Sequence, residues 1–234
     1  MPLTILNHPK TTKPAADTLV FGLFAKEPVE KHPFYTLLAP EQKQYLRTFL
    51  RKGFTNEKDE VDFVVLPSGK PTAFLVGLGK RADWTDRRYR LFLRRLVSLA
   101  ASQKVTSLAV ALHTLQYDAV TEQELARTAA ENILLAEYRF GKFQKQKPKG
   151  RKLQRAVLVT ATPTGMAAAL RTGKIVGTYA NLCRDFSNTP ANHLTPQQFA
   201  EHARELAKKT GCVFRVLDRA AMEKERMGAI LGVA

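Results

Sequence analysis

The densest group of residues that could carry out chemistry is a basic segment between residues 139 and 155. This segment has eight lysine and arginine residues and no acidic residue, and Phe140 and Phe143 are interleaved with them. Such a mixture is expected of a patch that contacts phosphates. The candidate nucleic-acid-binding residues are Arg139, Lys142, Lys145, Lys147, Lys149, Arg151, Lys152 and Arg155. The alternative is a solvated basic loop before a strand, because charge runs alone mostly report solubility and non-specific attraction.

The charge of the whole chain is uneven along its length. The net charge is +16, yet residues 184–226 hold eight Lys and Arg residues against six Asp and Glu residues. Nearly all of the excess therefore belongs to residues 1–183. This distribution predicts that the first part of the chain attracts phosphate-rich partners, DNA among them, or anionic surfaces.

A glycine motif between a predicted strand and a predicted helix could bind a dinucleotide. Gly77, Gly79 and Ala82 form the pattern G-x-G-x-x-A, which is the pattern and context that such a turn requires. About 20 residues further on, the sequence SLAASQK lacks the acidic residue that would bind a ribose. We therefore favour a structural turn and keep nucleotide binding as the alternative.

Other residue patterns give no support for metal binding or nucleophilic catalysis in this chain. Ser187, His193 and Asp185 make no triad argument, because proximity in sequence says nothing about triad geometry. Cys183 and Cys212 lack CxxC spacing, and we interpret them as buried free thiols. The histidines have neither an HExxH motif nor the paired spacing of metal ligands, so we expect ordinary surface or core residues. They are His8, His32, His113, His193 and His202. We therefore assign no catalytic residue and no metal ligand.

The elements that position these residues alternate between strand and helix up to residue 161. Apolar runs predict strands at residues 17–25, 61–66, 72–77, 106–112 and 155–161, with the second and third paired as a hairpin. Apolar stripes predict helices that begin near Pro40 and Asp83 and at residues 121–137, and Arg87, Arg90 and Arg94 share the polar face of the second. The alternation predicts an α/β sandwich with a mixed sheet.

The remainder of the chain predicts a long helix and then a further α/β unit. From Thr164 to Cys183, Gly173, Gly177 and Ala180 form a small-residue face that lets another element approach closely. Thr195 and Gln198 form a capping box for the next helix, which ends at Gly211. We expect a strand at residues 212–217, a brief helix at residues 220–226 and a core strand in the apolar run 228–234. Because the chain stops inside that run, we expect a truncated sequence.

Several short motifs follow one another in residues 181–234. The first is an Asn-Thr-Pro at Asn188 to Pro190, which Asn192 follows. The next is a Leu-Thr-Pro at Leu194 to Pro196, which opens a helix. The last is a Met-Gly-Ala at Met227 to Ala229, which comes before an apolar run. This order resembles the beginning of the catalytic domain of the leucine aminopeptidase (cytosol aminopeptidase) family. The upstream runs LVFGLFA, FLVGLGK and ENILLAEYRFGKF are similar to the family in the same order. The departures are Asn132, where the family usually has glycine, and Phe143, where it often has tyrosine.

The resemblance implies a macro-domain-like, three-layer α/β/α accessory domain with a mixed sheet at residues 1–163. It further implies a linking helix at residues 164–186 and, at residues 187–234, the first βα portion of an α/β metallopeptidase domain. The longer parent would remove amino-terminal residues from peptides with two divalent ions, Mn or Zn, and would form hexamers in the cytoplasm. The family's metal ligands lie in motifs that do not occur here, so the resemblance implies that this chain alone is inactive and serves assembly or substrate access.

Two hypotheses follow from the sequence. The first is the amino-terminal part of a metal-dependent aminopeptidase, with peptide substrates. The second is a basic nucleic-acid-binding module derived from the same accessory domain. No run of 18 apolar residues occurs in the sequence, so we expect no membrane partner.

Overall fold

A computed structural model describes residues 3–10, 12–143, 153–162 and 164–233. The chain divides into two compact units, Met1–Cys183 and Arg184–Ala234. The strands are β1 (Thr4–Pro9), β2 (Thr18–Phe24), β3 (Val61–Val65), β4 (Thr72–Gly79), β5 (Ser107–Ala111) and β6 (Arg155–Thr160). The helices are α1 (Pro33–Thr36), α2 (Pro40–Arg51), α3 (Asp86–Ser102), α4 (Glu122–Glu137), α5 (Met166–Asn188), α6 (Pro196–Thr210), α7 (Arg219–Lys224) and α8 (Gly228–Val233). The predicted domain boundaries at residues 163 and 186 stay predictions, and the division between the two units falls inside α5.

The first unit is built on one mixed sheet with strand order β1-β6-β5-β2-β4-β3. Every neighbouring pair is parallel except β3 and β4, which form the predicted antiparallel hairpin. The sequence does not predict β1. Its segment TILNHP mixes polar and apolar residues and lies at the sheet edge against β6 alone. A short edge strand of this kind lacks the continuous apolar run that marks a central parallel strand.

Helices cover both faces of the sheet and confirm the predicted three-layer α/β/α arrangement. Side chains alternate across β2, so that Val20 and Phe24 join one core and Leu19, Phe21 and Leu23 join the other. The first core also contains buried residues of α3, α4 and the beginning of α5. The second core contains Phe34 of α1 and Leu46 of α2.

The predicted small-residue face of α5 allows a close approach to α4. A Cβ atom at Gly173 would clash with the Arg127 carbonyl oxygen and would lie 2.9 Å from the Ala130 Cβ atom. At Gly177 it would lie 3.0 Å from the Leu134 Cβ atom. The side chain of Asn181 adds a hydrogen bond from its Nδ2 atom to the Leu134 carbonyl oxygen at 3.0 Å. The spacing of these small residues therefore sets the distance between the two helices.

The second unit begins as its sequence predicts. Thr195 accepts a hydrogen bond from the Gln198 backbone, the Gln198 side chain accepts one from the Thr195 backbone, and Gly211 ends α6 with a φ of 74°. The predicted brief helix is α7. The capping residues fix this helix because they satisfy backbone groups that the helix itself leaves free.

Three sequence expectations for residues 183–234 are wrong. Residues 212–217 form no strand, and Val213 is fully exposed; a strand needs a hydrogen-bonded neighbour, and the second unit has none among its described residues. The apolar run from Gly228 is the helix α8, because a short apolar run has no period that separates strand from helix. The two free cysteines, Cys183 and Cys212, are exposed and not buried.

No helix among the described residues combines the length and the apolar character that crossing a membrane requires.

Candidate functional site

The topology of the first unit creates a crevice at the carboxyl ends of two neighbouring parallel strands, β2 and β5. After β2 the chain turns to α1 and α2 on one face of the sheet, and after β5 it turns to α4 on the opposite face. Because the two connections run to opposite faces of the sheet, the loops that follow β2 and β5 lie apart and leave an opening between them. Open α/β sheets bind ligands at this position. We call this opening the switch-point crevice. Its volume is about 290 Å³, and its lining includes Gly22, Leu23, His32, Arg81 and His113.

His32 lies in the loop after β2 and is buried, with 6% of its surface exposed. It is the N-cap residue of α1, where its Nδ1 atom accepts a hydrogen bond from the Phe34 backbone nitrogen at 3.3 Å. Its ring packs on Phe21 and Phe34 with centroid separations of 4.8 Å and 5.2 Å. Burial, assisted by the nearby His113, lowers the pKa of His32 to about 3. The ring is therefore neutral at pH 7, and because Nδ1 is the acceptor, its proton is on Nε2.

His113 follows β5 directly and lies on the other side of the chain reversal. Burial lowers its pKa, while the Glu122 carboxylate and a hydrogen bond to the Val159 carbonyl oppose that shift. Its Nδ1 atom is buried and has no hydrogen-bond partner among the described residues.

Glu122 completes the polar boundary behind His113. It is buried at the beginning of α4, and its two carboxylate oxygens accept hydrogen bonds from the backbone nitrogens of Ala161 at 3.1 Å and Thr162 at 2.7 Å. These bonds tie α4 to the loop after β6, since residues 161 and 162 follow that strand directly. The carboxylate is thus fixed by the backbone and is available to His113 only as a nearby charge.

Arg81 and Lys31 supply positive charge to the rim of the crevice. The Arg81 guanidinium lies 3.9 Å from the centroid of the Phe24 ring, and its Nε and Nη2 atoms donate to Glu27 at 3.1 Å and 2.9 Å. The charge of Arg81 is therefore largely balanced by Glu27. Lys31 is exposed at the end of the loop after β2 and leaves the rim with an excess of one positive charge.

The glycine motif near this crevice has the structural role that the sequence analysis favoured. A Cβ atom at Gly77 would clash with the carbonyl oxygen of Glu57, because the loop before β3 passes directly over it. Gly79 has a φ of 70°, and its backbone nitrogen donates to the Asn56 carbonyl at 3.1 Å. The protein's own loop therefore fills the space that a pyrophosphate would need.

The predicted basic segment is described only in part. Arg139, Lys142 and Arg155 lie within the described residues. Lys142 lies with its Nζ atom 5.6 Å from the centroid of Phe143, and Arg155 donates from Nη1 to the Ala15 carbonyl at 3.3 Å. Arg155 begins β6, so it lies at the end of the sheet opposite the switch-point crevice. Outside the described residues are Lys145, Lys147, Lys149, Arg151 and Lys152.

Two of the three arginines on the polar face of α3 are engaged within the first unit. Arg90 donates to Asp86 at 2.7 Å and to Glu131 at 3.3 Å. Arg94 donates from Nε to Oδ1 of the fully buried Asn132 at 2.9 Å. Asn132, at the position where glycine was expected, thus fastens α4 to α3.

The sequence does not predict that His32 and His113 line the same crevice, and both fall under the expectation of ordinary histidines. The two residues are far apart in the chain, and no local spacing relates them. Each of the two histidines follows a buried strand, but this pattern places them together only when the order of the strands in the sheet is known.

The described residues contain no group of three or more His, Cys, Asp or Glu side chains that could hold a metal ion. The crevice has two imidazoles and one carboxylate at its rim, and that carboxylate is already paired with Arg81. The described part of the chain therefore does not fit a metal centre, and we derive no catalytic step through a metal from it.

Comparison with protein families finds two matches in chain order. Residues 20–147 match the model described as the cytosol aminopeptidase family, N-terminal domain. Residues 181–234 match the cytosol aminopeptidase family, catalytic domain. The first match alone covers more than half of the chain.

Solved structures share this fold. The bottromycin maturation enzyme BotP is 25% identical, with a TM-score of 0.62 over 84% of this chain and 38% of that chain. A structure of BotP in complex with Mn gives the same identity and TM-score over 84% and 37%. A mutant of tomato leucine aminopeptidase is 22% identical, with a TM-score of 0.70 over 88% of this chain and 43% of that chain. The present chain thus spans about two fifths of the length of these structures.

Proposed function

Because this chain belongs to the cytosol aminopeptidase family, we propose that it is the amino-terminal part of a longer metal-dependent aminopeptidase. The longer protein removes amino-terminal residues from peptides. The observation that carries the proposal is the succession of the two family matches, accessory domain first and catalytic domain second, within one chain. Two unrelated domains would not be expected to follow each other in the family's own order.

The metal centre of the longer protein lies, in this proposal, outside the present chain. Two divalent ions, Mn or Zn, would polarise the scissile carbonyl and activate a water molecule. The relative solved in complex with Mn supports manganese as one of the two choices. The 234-residue chain by itself is then inactive, in keeping with the failure of its described residues to gather a metal-ligand set.

We assign the first unit a role in assembly or substrate access. Each face of its sheet packs against helices through a hydrophobic core, so the unit can fold as a stable domain next to a catalytic domain. We also propose that the longer protein is a homohexamer, which is what the resemblance of the sequence motifs implies. The word cytosol in the family's description supports a cytoplasmic location. Mass photometry of the longer protein tests the hexamer, and a dimer or a monomer would contradict it.

The experiment for the proposed function begins with the reading frame beyond codon 234. We expect it to encode carboxylates and a lysine that hold two metal ions. The protein from the complete reading frame should contain about two equivalents of Mn or Zn per chain by elemental mass spectrometry. The matched control is the 234-residue chain purified in the same buffer, which should contain none. A stop codon at that point, or a longer protein without metal, would overturn the proposal.

A further inference from the structure

Another opening of the first unit lies beside β1, at the edge of the sheet. It runs between the open side of β1 and α5, and its volume of about 710 Å³ is more than twice that of the switch-point crevice. We call it the edge groove. Its lining includes Leu6 of β1 and, on α5, Leu170, Arg171, Lys174, Ile175 and Tyr179. All of these residues belong to the first unit, and the proposed peptidase function gives them no role.

The backbone of β1 offers hydrogen-bonding groups to the edge groove. The nitrogens of Thr4 and Lys10 donate to carbonyl oxygens on the β6 side at 2.8 Å and 3.1 Å. Backbone groups point alternately to the two sides of a strand, so those of Ile5 and Asn7 point away from β6. No strand among the described residues pairs with β1 on that side. Pro9, the next residue on the open side, has no N–H group and ends this edge.

An apolar part of α5 is left uncovered beside this edge. Ile175 and Tyr179 are one helical turn apart and are 50% and 39% exposed, and Leu6 of β1 is 44% exposed. The glycine face of the same helix packs against α4, so these side chains stay on the side of the groove. Every second side chain of a strand added to β1 would face α5 and withdraw this apolar surface from water.

The charge of the edge groove favours an acidic occupant. Arg171 is exposed and Lys174 is half-buried, and neither makes an ion pair within the described part of the chain. The described lining contains no acidic residue. A second copy of this chain, paired edge to edge about a two-fold axis, would bring these cations against their own copies. Single-stranded nucleic acid stacks on several aromatic rings, whereas Tyr179 is the only aromatic residue in the described lining.

We propose that the edge groove binds an extended acidic peptide segment of a partner protein, which adds to β1 as a further strand. The backbone of the segment pairs with Ile5 and Asn7, the mode of recognition known for exposed sheet edges. On the face of the segment that meets α5, apolar side chains pack on the exposed apolar surface, and carboxylates pair with Arg171 and Lys174. The binding involves no bond cleavage, and it does not depend on the metal centre of the longer protein.

The test is an anisotropy titration of the unmodified 234-residue chain with a fluorescent peptide of sequence Glu-Thr-Val-Thr-Val-Thr-Glu. This sequence reads the same in both directions and places its valines and glutamates on one face of a strand. We expect it to bind saturably and at least about tenfold more tightly than the same peptide with lysine for glutamate, at equal ionic strength. Equal affinity for the two peptides would overturn the proposal.

Two methylated forms of the peptide test the backbone pairing. One carries N-methyl groups on the threonines and the other on the valines and glutamates, so each loses the N–H groups on one side of the strand. We expect one form to bind about as well as the parent peptide and the other to bind at least about tenfold more weakly. Equal binding of the two forms would show that the peptide does not add to the sheet.

Hydrogen exchange of single amides, measured by nuclear magnetic resonance, locates the peptide. Exchange at Ile5 and Asn7 should slow when the peptide binds, whereas Leu6 and His8, whose N–H groups point toward β6, should change little. Saturable binding without protection of Ile5 and Asn7 would overturn the proposal. Protection that needs only a higher protein concentration would assign the edge to a second copy, and protection by single-stranded DNA but not by the peptide would assign it to nucleic acid.

Charge-matched double variants separate the edge groove from general attraction to a basic protein. Arg171→Gln combined with Lys174→Gln should weaken binding of the glutamate peptide at least about tenfold and remove its preference over the lysine peptide. Lys208→Gln combined with Lys209→Gln changes the net charge equally at exposed positions of α6 and should alter the affinity by less than about twofold. Equal losses in the two double variants would contradict the assignment.

Two adjacent residues of α5 provide a matched test of the apolar contact. Ile175→Asn changes a half-exposed residue of the groove lining and should weaken binding of both peptides. Val176→Asn changes a residue that is 42% exposed and lies outside the lining, so the affinity should stay the same. An Ile175 variant that binds as tightly as the Val176 variant would exclude the groove as the binding site.

Discussion

At the scale of the residue, the stability of the first unit depends on the protonation state of the His32 ring. Its ring caps α1 through Nδ1 and packs between Phe21 and Phe34. Protonation would turn Nδ1 from an acceptor into a donor and place a charge in the core. The neutral form is therefore built into the fold, and the pKa of about 3 reflects that requirement.

This pKa predicts a loss of stability on acidification. The folded pKa of His32 is about 3 against an ordinary 6.5, so the unfolded chain binds a proton that the native chain does not. The contribution is complete above pH 6.5 and is lost as the pH falls toward 3, by about 5 kcal/mol at about 1.4 kcal/mol per pKa unit. Urea unfolding followed by the fluorescence of Trp84, the single and buried tryptophan, measures it in the first unit.

A pair of histidine variants checks the assignment of this effect. His32→Asn keeps an oxygen that can cap α1 but has no titrating ring, so it should flatten the pH dependence between pH 6.5 and 4. His202→Asn removes an exposed histidine of α6 and should leave the dependence unchanged. An unaltered slope in the His32 variant would assign the acid sensitivity to other groups.

At the scale of the element, the closeness of α4 and α5 depends on glycine. Gly173→Ala would drive a Cβ atom into the Arg127 carbonyl oxygen. Because this oxygen is a backbone atom of α4, it cannot move away as the end of a flexible side chain could. We expect the free energy of unfolding of the first unit to fall by about 1–3 kcal/mol, despite the better helix propensity of alanine. The same Trp84 fluorescence measures the change.

The matched control for this substitution lies one position earlier in α5. Thr172 is exposed, so Thr172→Ala should leave the unfolding free energy within about 0.5 kcal/mol of the unmodified chain. Equal stability of the Gly173 variant and the unmodified chain would show that the two helices separate easily and that the glycine is not needed.

The elements also show which parts of the fold the sequence could predict. Apolar stripes and capping residues are local, so α3, α4 and α6 were predicted from the side chains that form them. A strand depends on a partner, and the apolar residues 212–217 have no strand beside them among the described residues of their unit. The crevice depends on more distant relations still, because His32 and His113 meet only through the adjacency of β2 and β5.

At the scale of the whole molecule, the excess positive charge belongs mainly to the first 183 residues. Nucleic-acid binding by the segment between Arg139 and Arg155 stays a prediction. If phosphates are its ligands, affinity for a DNA duplex must fall steeply with rising salt, because each neutralised phosphate releases counterions. Anisotropy titrations at several salt concentrations measure this slope.

Charge-matched double variants separate a binding surface from net charge. Changing Arg139 and Lys142 to glutamate should lower DNA affinity more than changing Lys208 and Lys209 of α6, although both pairs are exposed and alter the net charge equally. Equal losses would reduce the effect to general attraction, and affinity indifferent to salt would exclude phosphate contacts.

Solved structures of larger proteins are similar to this chain over about two fifths of their own length. Membership in the cytosol aminopeptidase family gives the chain its ancestry, while the chemistry of that family requires metal ligands that the described residues do not gather. The first unit is therefore a folded domain with its own crevice. We propose that peptide hydrolysis is an activity of the longer protein.

The most direct measurement of this claim is the rate of leucine p-nitroanilide hydrolysis, compared between the protein of the complete reading frame and the 234-residue chain. With added Mn or Zn, we expect the longer protein to hydrolyse the substrate and a chelator to abolish the activity. The 234-residue chain should be inactive under every condition. Chelator-sensitive hydrolysis by the shorter chain, or none by the longer protein, would contradict the account.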